Sequence, residues 1–178
     1  MNLQNIRRVV TGFNAEGKSV IISDDVVKAL YVRDDEPNRG MADIWRGDAV
    51  PAVIRDGDDM TANHSVTLLP PANGFVVRVV TIPPDAEAAD SDMKEYFEGM
   101  GAGTNIRPER SRHPTMHKTP TLDIGFVQSG EIWALMEDGE VLLKEGDFLV
   151  QRATLHGWSN RSDRPCTLIG VLVHGEAA

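Results

Sequence analysis

Short β-type segments separated by turn residues fill the second half of the chain, and this pattern restricts the fold more than any other feature. The β-branched and aromatic runs cover residues 124–127, 131–136, 141–143, 148–150 and 168–173. Between two of these runs, the Asp138-Gly139 pair suits a type I′ hairpin turn. Because little helix is available to cover the sheet faces, the pattern predicts an all-β jelly roll or barrel.

The first half of the chain adds further strands and one helix. Strands are predicted over residues 6–11, 19–22, 29–33 and 74–82, the last one ending at Pro83-Pro84. Residues 34–73 are rich in Asp, Pro, Asn and Gly, which predicts a loop with short strands that lies along the barrel or across a subunit interface. One short helix is expected over residues 92–99, because Asp92 is a suitable N-cap and Gly99 a suitable stop.

Composition limits the class of protein. A length of 178 residues suits one domain. The net charge of -9 argues against a nucleic-acid partner, because phosphate contacts require a positive surface. The single cysteine, Cys166, permits neither an internal disulfide nor a cysteine cluster for zinc. The first eight residues lack the apolar core of a signal peptide, and no run is long enough to span a membrane, so a cytoplasmic protein without a membrane partner is expected.

The segment from His117 to Asp123 contains the best candidates for chemistry. Residues 117, 119 and 123 are separated by even numbers, so on one regular strand they share a face. If that face lines the barrel, His117 and Asp123 form a two-histidine, one-carboxylate set with His156 from a later strand. These donors suit zinc, iron, manganese or nickel. The alternative is that each histidine is half-buried with an ordinary hydrogen-bond partner, and that Asp123 orients a ligand without touching the metal.

Four further residues are candidates for the pocket or for substrate contact. Thr119 is expected to form a pocket wall. Trp158 follows His156 by two positions and shares its face on a regular strand, although core packing explains a tryptophan equally well. His113 precedes Pro114 in the loop that enters the site, and Arg112 lies directly before it.

Arg112 belongs to a basic segment, residues 104–118, in an otherwise acidic chain. Its basic residues are Arg107, Arg110, Arg112 and Lys118, against the single acid Glu109. One interpretation is a solvated loop whose charges do little. The other is that these side chains attract or clamp an anionic substrate, since guanidinium groups bind carboxylates in bidentate fashion.

Residues 113 to 173 resemble a cupin domain. The positions that match the first cupin motif are His117, Thr119, Asp123 and Gly130, and those that match the second are Gly146, Arg152, Thr154, His156 and Asn160. The resemblance implies that His117, Asp123 and His156 are metal ligands, with Thr119 in place of the usual second histidine. The Gln151-Arg152 pair is similar to that of small bacterial cupins.

The fold that the resemblance implies is an all-β cupin jelly-roll barrel with a strand-rich N-terminal extension and at most one or two short helices. We expect a single domain over residues 1–178, in which residues 1–103 form the N-terminal strands and extension and residues 104–175 the conserved barrel.

The expected function is a metal-dependent cupin enzyme with one divalent ion that acts on a small, anionic organic molecule inside the barrel. Dioxygenase chemistry and hydrolase, isomerase or lyase chemistry both remain open, and no catalytic residue is assigned. The alternative is a non-catalytic cupin that binds or senses a small molecule without metal. For either function, the N-terminal strands need a partner surface, so a homodimer is expected.

Overall fold

The computed structural model describes residues 2–34, 36–54, 59–88, 93–103 and 106–176. The described strands are β1 Arg7–Phe13, β2 Ser19–Val26, β3 Leu30–Arg33, β4 Glu36–Gly47, β5 Phe75–Ile82, β6 Thr121–Ser129, β7 Glu131–Met136, β8 Glu140–Lys144, β9 Phe148–Arg152, β10 His156–Ser159 and β11 Cys166–His174. A short 3-10 helix covers Leu3–Asn5, and the helix α1 covers Met93–Gly99. Within these residues, no helix is long and apolar enough to cross a membrane.

The strands form three antiparallel sheets. The largest has the order β3-β4-β5-β11-β6-β9, the second has the order β10-β7-β8, and β1 pairs with β2 alone. The first two sheets share a core in which Val127 and Leu168 of the large sheet meet Ile132 of the small one, all at most 6% exposed. Two sheets that bury their apolar faces against each other form the predicted all-β architecture, which is confirmed.

The segment that was predicted as loop contains the longest strand. Strand β4 runs over twelve residues, Glu36–Gly47, and pairs with β3 on one side and with β5 on the other. Its Asn and Gly residues are poor strand formers on their own. Pairing on both edges and burial of Ala42 and Asp43 outweigh that weak propensity, so the loop prediction is wrong over residues 36–47.

His117 and Thr119 do not belong to the strand that contains Asp123, because β6 begins at Thr121. Instead, His117 forms an isolated antiparallel bridge with His156. Its N–H donates to the carbonyl of His156 at 2.7 Å, and the N–H of His156 donates back at 3.0 Å. The prediction of a single strand face for 117, 119 and 123 is therefore wrong, although a different backbone path brings these residues together.

Other local predictions hold in part. Asp138-Gly139 lies in the turn from β7 to β8, and Gly139 has a positive φ of 85°. Asp138 is not among the residues with a positive φ, so the turn is not of the predicted type I′. The predicted helix is present as α1, while its proposed N-cap Asp92 lies outside the described residues.

One cross-strand row of the large sheet creates space for a site. Gly170 of β11 pairs with Arg78 of β5 on one side and with Gly125 of β6 on the other. In the next row with the same orientation, Leu168 and Val127 fill the core. Because two neighbouring positions of the glycine row carry no side chain, the layer opens into a cavity here.

Candidate functional site

An internal cavity of about 130 Å³ lies between the two main sheets and α1. Five of the residues singled out from the sequence line it together, namely His117, Thr119, Asp123, His156 and Trp158. Arg112 and His113, which were also predicted to contact substrate, are not among its lining residues.

The centre of the site is a pair of buried histidines. The rings of His117 and His156 have their centroids 4.3 Å apart, and the residues are 8% and 4% exposed. Nδ1 of His117 lies 2.8 Å from the carbonyl oxygen of Thr115, and Nδ1 of His156 lies 3.0 Å from that of Thr154. Because a carbonyl only accepts hydrogen bonds, each Nδ1 carries the proton and each Nε2 presents a lone pair.

Burial keeps both histidines neutral. Desolvation, together with the neighbouring His156, lowers the pKa of His117 to about 3. Desolvation also lowers the pKa of His156, against the hydrogen bond to Thr154. The pair is therefore a set of two neutral bases at physiological pH.

Asp123 adds a carboxyl group to the same cavity. Desolvation raises its pKa to about 6, while a hydrogen bond from Thr121 and the charge of Arg78 oppose that rise. Its Oδ1 atom is buried and has no hydrogen-bond partner among the described residues. A buried acceptor without a partner costs free energy, and a bound ligand that donates a hydrogen bond would recover it.

The residues present fit the predicted divalent metal only in part. Two neutral imidazoles with their Nδ1 atoms bonded to carbonyls are good donors for such an ion. Within the described ranges, however, no three His, Cys, Asp or Glu side chains lie close enough together to hold one. The cavity thus supplies a two-histidine site, and the ligand set His117, Asp123 and His156 stays a prediction.

Thr119 and Trp158 shape the cavity. The Thr119 hydroxyl is buried and lies 2.7 Å from the Thr121 hydroxyl. The indole of Trp158 meets the His156 ring edge-on, with centroids 5.9 Å apart. As expected from the spacing of two residues, Trp158 lies on the same side as His156.

His113 supports the site from outside the cavity. Its Nδ1 lies 2.8 Å from the hydroxyl of Thr115, and its Nε2 lies 3.7 Å from Asp85. The Thr115 hydroxyl in turn bonds the backbone N–H and carbonyl of Trp158 at 2.8 and 2.9 Å. These contacts hold the segment that carries His117 against β10.

The basic segment is bound to the protein surface. The guanidinium of Arg112 donates to the carbonyls of Met136 and Gly139 at 3.2 and 3.1 Å and pairs with Glu140. Arg107 donates to the carbonyl of Pro114 at 2.7 Å and lies over the ring of Phe97. Thr104 and Asn105, at the start of the segment, lie outside the described residues.

Two arginines that the sequence analysis missed line the cavity, Arg39 and Arg78. Arg78 is 2% exposed, forms an ion pair with buried Asp43 at 3.0 Å, and donates to the carbonyls of Thr67 and Leu68. Arg78 could have been found from the sequence, because a charged residue in the middle of the Val-rich segment 75–82 indicates a buried polar contact. Arg39 could not, because its segment was interpreted as a loop.

His64 is a further, largely buried polar residue of this region. Its side chain is only 13% exposed, and its Nε2 lies 3.3 Å from Asp43. His64 therefore belongs to the buried polar cluster behind Arg78.

Comparisons with known proteins agree with this architecture. The chain is 28% identical over 162 residues to the cupin-domain-containing oxidoreductase virC from Hypocrea virens, which covers 89% of this chain and 69% of that protein. The chain thus resembles a cupin-domain protein over most of its length. It is also 48% identical over 112 residues to the oryzines biosynthesis cluster protein J from Aspergillus oryzae, which covers 62% of this chain and 47% of that protein. No protein-family model matches the chain.

Among solved structures, a sugar phosphate isomerase from a cupin superfamily of Silicibacter pomeroyi is 15% identical, with a TM-score of 0.40, over 77% of this chain and 60% of that one. The chain spans about two thirds of virC and about half of protein J. Both of these relatives are fungal, so the predicted likeness to bacterial cupins in particular is not confirmed.

Proposed function

We propose that this chain is a cupin enzyme that binds a small organic molecule in the internal cavity and converts it next to His117 and His156. The observation that carries the proposal is the pair of adjacent, neutral imidazoles whose Nε2 lone pairs have no hydrogen-bond partner among the described residues. Because both Nδ1 atoms are bound to backbone carbonyls, both Nε2 lone pairs are available to a ligand in the cavity.

The neighbouring residues supply proton chemistry and exclusion of water. Asp123, with a pKa of about 6, exchanges a proton readily near neutral pH, as a general acid or base must. The Nε2 atoms of His117 and His156 accept hydrogen bonds from a substrate. The apolar wall that includes Phe97 and Trp158 limits access of water and strengthens each polar contact.

One divalent ion (zinc, iron, manganese or nickel) remains the predicted cofactor, and none of the roles above depends on it. If bound at the histidine pair, it would supply Lewis-acid or redox chemistry. Elemental analysis of the purified wild type and of a His156→Ala variant tests whether an ion is bound at the histidine pair. Equal metal content in both would exclude the histidine pair as the metal site.

The reaction class is proposed from the relatives alone. Because virC is named an oxidoreductase, oxidation or reduction of the bound molecule is the first class to screen, before isomerisation, lysis or hydrolysis. The direct experiment incubates the protein with a small-molecule cell extract and follows compounds that are consumed by mass spectrometry.

The same screen, repeated with variants, decides whether the compound is consumed in the cavity. We expect the wild type to consume at least one compound, and His117→Ala and His156→Ala to leave it unchanged. His174→Gln is the matched control, because His174 is not a lining residue. Consumption by His156→Ala at the wild-type rate would contradict the proposal.

The second candidate is a cupin that binds or senses a small molecule without converting it. The absence of a third metal-ligand residue among the described residues favours it. A compound that binds wild-type protein and is recovered unchanged would support this candidate over the enzyme.

We propose further that the chain forms a single domain and a homodimer. Pairing of β5 with β11 supports one domain, because it joins the two halves of the chain in one sheet. The dimer is supported by the outer face of β6 and β9, which exposes Leu122, Ile124, Phe148 and Val150 by 42% to 65%. Apolar faces of this kind mark protein contacts. A cytoplasmic location stays a prediction.

A second copy of the chain is the partner we propose for this face. Phe148, Val150 and Arg152 alternate onto one face of β9, and a two-fold axis would pack this face against its own copy. Light scattering should show a dimer for the wild type and a monomer for Phe148→Lys. A dimer in both would exclude this face.

A further inference from the structure

Arg39 places an incompletely paired guanidinium on the wall of the internal cavity. Its side chain is 7% exposed, and its ion pair with Glu36 uses Nε at 2.9 Å. Among the described residues, its two terminal nitrogens have no hydrogen-bond partner. A buried cation with two free donor groups is prepared to bind an anion.

Arg78 differs from Arg39 in this respect, although both line the cavity. Both terminal nitrogens of Arg78 are occupied, by Asp43 and by the carbonyls of Thr67 and Leu68. The charge of Arg78 is compensated within the protein. Arg39 is therefore the lining residue that has donors left for a ligand.

Two aromatic rings of α1 connect Arg39 to the histidine pair. The Cζ atom of Arg39 lies 5.4 Å from the centroid of the Tyr96 ring. Tyr96 meets Phe97 at 5.9 Å, and Phe97 meets His117 at 5.0 Å. A molecule that lies along these rings has one end at Arg39 and the other at His117.

We infer that Arg39 binds the carboxylate of a small organic acid whose apolar body lies along Tyr96 and Phe97 and whose other end reaches His117 and His156. The inference rests on the proposed function and names its substrate class. A carboxylate fits because its two oxygens match the two parallel N–H donors of a guanidinium. Arg39 thus determines specificity for the acid over its uncharged amide.

The test uses simple carboxylates as probes. Binding of a series of small aliphatic and aromatic monocarboxylic acids, each paired with its primary amide, is measured by calorimetry at neutral pH. Wild-type protein should bind at least one acid about tenfold or more tighter than its amide. Arg39→Gln should abolish that preference and leave amide binding unchanged, while Arg39→Lys retains part of it because it keeps the charge.

Arg7→Gln is the matched control, because Arg7 lies on the N-terminal hairpin with 70% of its side chain exposed, and it should keep the wild-type preference. Thermal melts establish that each variant is folded. If Arg39→Gln prefers acids as the wild type does, the inference is overturned and the proposed function stands. If the wild type binds neither acids nor amides, the inference is overturned, while the proposed function is decided separately by the consumption screen.

Discussion

Arg112 of the basic segment and the internal pair Arg39 and Arg78 carry the same charge in opposite surroundings. Arg112 is bonded to carbonyls of the β7-β8 hairpin and to Glu140, outside the cavity. Arg39 and Arg78 lie on β4 and β5 and line the cavity beside the histidines. Membership of a run of basic residues in the sequence therefore does not place the Arg112 side chain in the cavity. Arg39 and Arg78 reach it because they lie on strands of the large sheet that line it.

The largest expected difference between the two regions concerns stability. Arg78→Met should destabilise the protein by about 3 to 5 kcal/mol, because it leaves the carboxylate of Asp43 buried without its cation. Urea unfolding measures this effect. The double variant Asp43→Asn with Arg78→Met should recover part of the loss. A loss for Arg78→Met as small as that of a surface arginine would show that the pair is not held as described.

A smaller effect is the pH dependence of stability, in which the buried carboxyl of Asp123 should differ from the surface carboxyl of Glu140. Desolvation raises the pKa of Asp123 from 3.8 to about 6, whereas the hydrogen bond from Arg161 lowers the pKa of Glu140. Between pH 3.8 and about 6, Asp123 is ionised in the unfolded chain but protonated in the folded protein. The protonated carboxyl therefore stabilises the folded protein fully below pH 3.8, and this stabilisation is lost as the pH rises through about 6.

Asp123→Asn removes that loss. Its free energy of unfolding relative to the wild type should rise by about 3 kcal/mol as the pH increases from acid to neutral. Denaturant titrations at several pH values measure the change, with Glu140→Gln as the control that lacks this rise. A constant difference between Asp123→Asn and the wild type would mean that Asp123 is not desolvated.

The smallest effect is expected at the surface. Arg112→Gln should cost less than about 1 kcal/mol, since exposed ion pairs contribute little. It should also leave the binding of carboxylate probes unchanged. If binding weakens as much as in Arg39→Gln, the basic segment reaches the ligand after all, and the contrast between the two regions disappears.

The sequence predicts the parts of this fold that depend on local patterns. The strands of the second half and the Asp138-Gly139 turn follow from short β-branched runs and turn chemistry. His117 and His156 were selected by spacing, and they do line one cavity. The prediction that His117, Thr119 and Asp123 share one strand face was wrong, because β6 begins only at Thr121 and His117 pairs with His156 instead.

The features that the sequence could not provide arise from contacts between distant segments. Strand β4 forms because β3 and β5 pair with both of its edges, whereas the local residue preferences of Glu36–Gly47 do not predict a strand. Arg39 reaches the cavity only through that strand. The space itself depends on Gly125 and Gly170 lying side by side, which requires the register of β6 and β11.

Gly125 offers the most direct test that the internal cavity is the site of small-molecule binding. A Cβ atom built at Gly125 meets no heavy atom closer than the Leu149 carbonyl oxygen at 3.9 Å, so a larger side chain there enters the cavity without a backbone clash. Ile124→Leu, on the opposite face of β6, is the matched control. The measurement is calorimetric binding of the carboxylate that binds wild-type protein best. The account predicts no binding to folded Gly125→Leu and unchanged binding to Ile124→Leu, and unchanged binding to both would contradict it.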